Sequence, residues 1–69
     1  MLQNNIRKLR FEKNDMTQEA LAEAVGVTRQ TIIAIEKGNY VPSLLLALTI
    51  ARFFNKNVEE IFYVEGDSK

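Results

Sequence analysis

QEALAEAVGVTRQTIIAIEKG, residues 18–38, carries two short amphipathic helical patterns separated by a single glycine. The first sets Ala20, Leu21, Ala24 and Val25 at helical intervals, and the second sets Thr28, Ile32 and Ile35 likewise. Between them Gly26 takes a positive φ at no steric cost, ending one helix and turning the chain. Val27 can then plug the gap and Thr28 cap the next helix. The expected product is a helix, a tight turn and a second helix crossing it steeply.

Upstream of this stretch, Leu2, Ile6 and Leu9 recur at spacings of four and three, which predicts a helix over residues 5–13 with its apolar stripe inward. Asn4 or Asn5 can cap it. Asn14 and Asp15 break it, Met16 is expected to be buried, and Thr17 caps a second helix over residues 18–25, with Glu19 in its first turn favouring the helix dipole. Downstream, Gly38 supplies the second positive φ, Pro42 keeps Val41 extended, and Ser43 caps a fourth helix over residues 44–54. That helix is apolar nearly all round, with only Thr49 and Arg52 polar, so burial on more than one side is expected. Residues 55–57 form a turn and residues 58–62 one further helical turn. The run 61–64 is rich in β-branched and aromatic residues and reads as a short strand, whose natural partner is the segment 1–3. Only residues 66–69 read as a frayed tail.

The 69 residues suit one domain with one small core, expected to span the whole chain. No run of about 18 apolar residues is present, and the opening MLQNN lacks the charged and apolar regions of a signal peptide, so a cytoplasmic location is expected. Net charge is zero, from 9 Lys+Arg against 9 Asp+Glu, but the charges are segregated. Arg7, Lys8, Arg10 and Lys13 against Glu12 leave the first helix basic, whereas Glu59, Glu60, Glu65 and Asp67 make residues 57–68 an acidic block. Histidine and cysteine are both absent, which removes the commonest general base, nucleophile and metal ligands. The three glycines are scattered singly, so no phosphate-cradling loop is present. Neither an enzyme nor a cofactor, metal or small-molecule site is expected.

A two-helix unit of this kind reads DNA when its second helix stands proud enough to enter the major groove, about 12 Å wide, while the first braces it from behind. Close approach of the two needs a small residue, supplied by Ala22 or Ala24. Leu21, Val25, Val27, Ile32 and Ile35 furnish the buried sides. Arg29, Gln30 and Ile33 lie on the opposite face and so point to solvent: Arg29 can pair with guanine O6 and N7, Gln30 with adenine N6 and N7, and Ile33 suits a thymine methyl. Thr17 and Gln18, at a helix N-terminus, suit a phosphate, as do Thr28 and Thr31.

QEALAEAVGVTRQTIIAIEKG followed by PSLLLALTIA resembles the DNA-binding domain of the Cro and lambda-repressor type, the xenobiotic-response-element (XRE) family of helix-turn-helix regulators. The resemblance runs from Ile6 to Phe62 and is greatest to the short regulators resembling the cytolysin repressor. It implies an all-α, five-helix lambda-repressor-like domain extended by a small antiparallel β-ribbon, a dimeric protein and an operator read by the third helix. By the family pattern Lys37, Asn39 and Tyr40 contact the DNA backbone, though Tyr40 could equally be a lid on the core, and Arg10 with Glu36 form a structural ion pair. One extra residue between Arg10 and Thr17 departs from that pattern.

Helix four holds more apolar surface than so small a core absorbs. Leu45, Leu46 and Phe53, with Ile61, Phe62 and Val64, are therefore expected at a homodimer interface, which a palindromic operator with half-sites one DNA turn apart would need. The expected function is a DNA-binding transcriptional regulator, a repressor acting by steric exclusion. The alternative, sustained by the neutral net charge, is a helical protein-interaction module such as an antitoxin subunit.

Overall fold

In the computed structural model, which describes residues 2–64, the elements run β1 (Leu2–Asn4), α1 (Ile6–Glu12), α2 (Gln18–Val25), α3 (Arg29–Lys37), α4 (Leu44–Phe54), α5 (Val58–Ile61) and β2 (Phe62–Val64). The expected tail and Met1 of the expected ribbon lie outside the described residues. Helix boundaries follow their caps. The hydroxyls of Thr17, Thr28 and Ser43 accept from the N–H groups of Ala20, Thr31 and Leu46, fixing the starts of α2, α3 and α4. α1 begins differently. Its first N–H, from Ile6, is taken by the Asn4 side chain at 3.2 Å, while Asn5 in the cap position donates its backbone N–H to the Ile61 carbonyl at 2.9 Å.

α2, α3 and α4 end alike, each on a left-handed residue, Gly26, Gly38 and Asn55. In each the following N–H reaches back to a carbonyl inside the last turn: Val27 to Ala22, Asn39 to Ala34 and Lys56 to Ala51. A Cβ at Gly26 would meet nothing within 4 Å, so the demand there is purely conformational. Gly26→Ala should therefore cost about 1–2 kcal/mol, the left-handed penalty alone, seen as a lower denaturation midpoint with unchanged m-value. A loss well above that would mean the turn has other constraints.

The extra residue before α2 is absorbed by Asn14 and Asp15, both at positive φ (62° and 55°), which asparagine and aspartate tolerate better than most. Asp15 N–H then bonds Phe11 O and Met16 N–H bonds Arg10 O, so α2 still starts at Gln18. Met16 is only half-buried, because the turn carries it along the rim of the core.

One core cluster joins the elements: Ile6 and Leu9 of α1, Leu21, Ala22 and Val25 of α2, Ile32 and Ile35 of α3, Ile50 and Ala51 of α4, and Ile61 of α5. α2 packs chiefly on α3 and next on α4. Of the two small residues considered for close helix approach, Ala22 is buried, whereas Ala24 is exposed, as is Ala20 earlier in the helix. The ribbon is antiparallel, with Leu2 opposite Val64 and Asn4 opposite Phe62, and the Asn4 amide donates to the Ile35 carbonyl at 2.9 Å, tying the ribbon to the end of α3.

α4 departs from expectation. Leu44 and Leu45 are 73% and 76% exposed and Leu48 is 49% exposed, because the core takes only Ala47, Ile50 and Ala51 fully and packs Leu46, Phe53 and Phe54 at its margin. Ile61 is 0% exposed within the protomer, so it has no surface to give a second copy. Phe62, like Leu46 and Phe53, leans on the core, and of the expected interface set Leu45 and Val64 are the residues that face solvent.

Candidate nucleic-acid interface

α3 is held from both ends. At its start Thr28 uses its hydroxyl oxygen to accept from Thr31 N–H at 3.3 Å, and the two threonine hydroxyls lie 3.1 Å apart. At its end Glu36 receives a forked pair from Arg10, Nε to Oε2 at 2.7 Å and Nη2 to Oε1 at 3.1 Å, with both side chains 9% exposed. Arg10 Nη1 adds a bond to the Met16 carbonyl at 2.8 Å, and Gln18 Nε2 donates to Glu36 Oε1 at 3.1 Å. Every polar atom of this cluster that is buried has a partner, the condition under which a desolvated ion pair is tolerable. The network fastens α1, the 13–17 turn, α2 and α3 together, with Glu36 about two turns along α3 from Arg29.

In the first turn of α3 the side chains of Arg29 and Gln30 are exposed and bond to nothing among the described residues. Arg29 opens the helix, whose first turn holds no acidic side chain. A cation at that end opposes the helix dipole, typically by 0.3–1 kcal/mol, so stability gives no reason for it. Ile33 is half-buried rather than exposed, one turn further along and partly covered by the body of the helix.

Arg29 also lines an open cleft of about 650 Å³ with Arg7, Arg10, Phe11, Thr17, Gln18, Glu19 and Glu36. The N-terminus of α2 opens into it, where the first backbone N–H groups have no intrahelical acceptor. Thr17 is exposed at this edge, and Gln18 is half-buried with its amide already engaged by Glu36. Lys37, Asn39 and Tyr40 sit at the other end of α3, all exposed. Tyr40 is therefore no lid on the core, although it borders a smaller cavity beside Leu2, Val41, Pro42 and Phe62.

The basic charge of α1 is divided rather than gathered. Arg10 turns inward to Glu36, Lys13 lies 5.3 Å from the Phe53 ring, and Lys8 shares a recess with Glu12, Lys56 and Glu60. Arg7 and Arg10 of the four line the cleft, and of these two Arg7 is the one without an acidic partner among the described residues. The residue count of the helix could not single it out, though its place one turn before Phe11 could have.

Comparison with known proteins agrees with this geometry. A helix-turn-helix family model matches residues 6–61. An uncharacterised HTH-type transcriptional regulator of Bacillus subtilis, YgzD, is 49% identical over 67 residues, covering 97% of this chain and all of its own. One from Methanocaldococcus jannaschii is 55% identical over 62 residues, covering 87% and 94% respectively. The transcriptional repressor RstR of the cryptic phage CTXphi in Vibrio cholerae is 36% identical over 61 residues, 88% of this chain and 54% of the repressor. A crystal structure from Bacteroides fragilis, described as a candidate DNA-binding protein, superposes with a TM-score of 0.78 at 27% identity over 91% of this chain. With its two capped helices joined at Gly26 and matched over residues 6–61, the chain belongs to the Cro/C1-type helix-turn-helix family of DNA-binding transcriptional regulators, not to an enzyme family.

Proposed function

We propose that the protein is a repressor that binds a palindromic operator as a homodimer, with α3 of each protomer in the major groove. The observation carrying this reading is the first turn of α3, where the side chains of Arg29 and Gln30 stand exposed and unpaired among the described residues on a helix whose far end is fixed by the Arg10–Glu36 network. In this arrangement Arg29 and Gln30 read base edges and Ile33 offers its remaining exposed surface to a thymine methyl. Thr17, Gln18, Thr28 and Thr31 hold phosphates at one wall of the groove, and Lys37, Asn39 and Tyr40 hold the other. At about 1.5 Å per residue, the nine-residue α3 separates these two groups by roughly 12 Å, about the groove width. Likeness to a phage repressor supports the sign of regulation.

Dimerisation is assigned to Leu44, Leu45 and Leu48, an exposed apolar strip along the first turns of α4. A second copy of the same strip would remove this apolar surface from water, and an isologous contact gives the two-fold axis that a palindrome requires.

A gel-shift titration against the DNA upstream of the protein's own coding region, at two salt concentrations, tests the reading. Binding that ignores salt, or is equal on random DNA, counts against it. Arg29→Ala is expected to lose about 1–3 kcal/mol of preference at one base pair without lowering the melting temperature, since the cation it removes opposes the helix dipole. Equal weakening on every sequence would make Arg29 a phosphate contact instead.

A further inference from the structure

Phe11 is the one aromatic residue of α1, and it is 50% exposed on a surface where burying it against the core would have been favourable. Two guanidinium groups flank its ring, Arg10 Cζ at 5.7 Å from the centroid and Arg7 Cζ at 5.3 Å. These contacts are not equivalent. Arg10 is fixed by Glu36 and the Met16 carbonyl, so it anchors the ring from one side. Arg7 is exposed and has no acidic partner among the described residues, so its contact with the ring is what orients it. The chain of contacts Glu36–Arg10–Phe11–Arg7 thus carries a rigid position out to a free cation. That cation lines the same cleft as Thr17, Gln18 and Arg29, where the carboxylates are Glu19 and the Arg10-paired Glu36.

We infer that Arg7 is a backbone-phosphate contact on the α1 side of this cleft, and that Phe11 is a positioning residue which presents it. The inference rests on the DNA-binding reading above and adds a contact outside the helix-turn-helix unit. A long, flexible arginine left free in solvent would lose rotamer freedom on gripping a phosphate. Holding it over an aromatic face, a contact typically effective even at exposed sites, removes part of that loss before DNA arrives. A delocalised guanidinium can stack on the ring and still direct N–H groups at an anion, which a lysine cannot do equally well.

Fluorescence anisotropy with a labelled operator and a random duplex, across a salt series, tests this with the full chain. Arg7→Ala should weaken binding to both duplexes by a similar factor and make log K against log[salt] shallower by about 1 per protomer. Phe11→Leu, which keeps apolar bulk but removes the ring, should weaken the wild-type protein roughly two- to fivefold and the Arg7→Ala protein not at all, while Phe11→Tyr restores binding. Melting curves serve as the folding control. An unchanged salt slope for Arg7→Ala overturns the contact, and equal loss from Phe11→Leu in both backgrounds overturns the positioning role. If Arg29→Ala is also silent, or the wild-type protein does not bind, the DNA-binding reading itself falls, and this inference with it.

Discussion

Glu36→Ala is expected to destabilise the protein by roughly 3–5 kcal/mol, the cost of leaving a buried guanidinium without its counter-ion. Domains of this kind are stable by only about 5–15 kcal/mol, so the single change removes a large share of the total. Arg10 is the residue stranded: of its three hydrogen bonds, two end on Glu36 and only the bond to the Met16 carbonyl survives. Replacing both partners with apolar residues of similar volume, Arg10→Met with Glu36→Leu, should cost much less than either single alanine change. The two charges then leave together, and the Gln18 amide, half-buried at the cleft edge, can turn to water. Denaturant unfolding of the four proteins gives the answer. A double variant less stable than both singles would mean the network contributes more than mutual neutralisation.

Leu45→Glu is expected to act on assembly rather than on the fold. The side chain is three-quarters exposed, so a carboxylate there leaves the protomer core unaltered. Paired across a two-fold axis, however, it would place two like charges against an apolar strip. Sedimentation should then show monomers, and affinity for a full operator should drop roughly 10²–10⁴-fold, because the second half-site is no longer engaged at high effective concentration. Binding to an isolated half-site should be unchanged. Dimers that persist in the Leu45→Glu protein would move the interface away from α4.

How far the residues disclosed this arrangement depends on the kind of signal. Boundaries of α2 and α4 were legible to the residue, since a hydroxyl before an apolar run and a left-handed residue after it are local chemistry. The ribbon was legible from apolar content at the two ends of the chain. Burial around α2 was not: alanine is small enough to sit on either side, so Ala20, Ala22 and Ala24 look alike until α3 is in place. In α4 the continuous apolar run concealed which turn meets the core: Leu45 stays outside as expected, joined by Leu44 and Leu48, whereas Leu46 and Phe53 lean on the core. The pairing of Arg10 with Glu36 was read from family likeness, for nothing in their spacing reveals it. The place of Arg7 was hidden by counting charges, which sums four cations that the fold gives different partners.

The pairing of Leu2 with Val64 sets the order in which the molecule can be completed. A strand at one end of the described residues finds its partner only after those between the two have been made, and closing so long a loop is entropically the most demanding of the contacts among those residues. Synthesis runs N-terminus first at ~5–20 residues per second, so β1 must wait until β2 has been made. Until then Asn5 has no Ile61 carbonyl to bond, and α1, which carries Arg10 into the network behind α3, lacks its tether to the C-terminal elements. Completion of the fold therefore waits on the second strand rather than proceeding helix by helix.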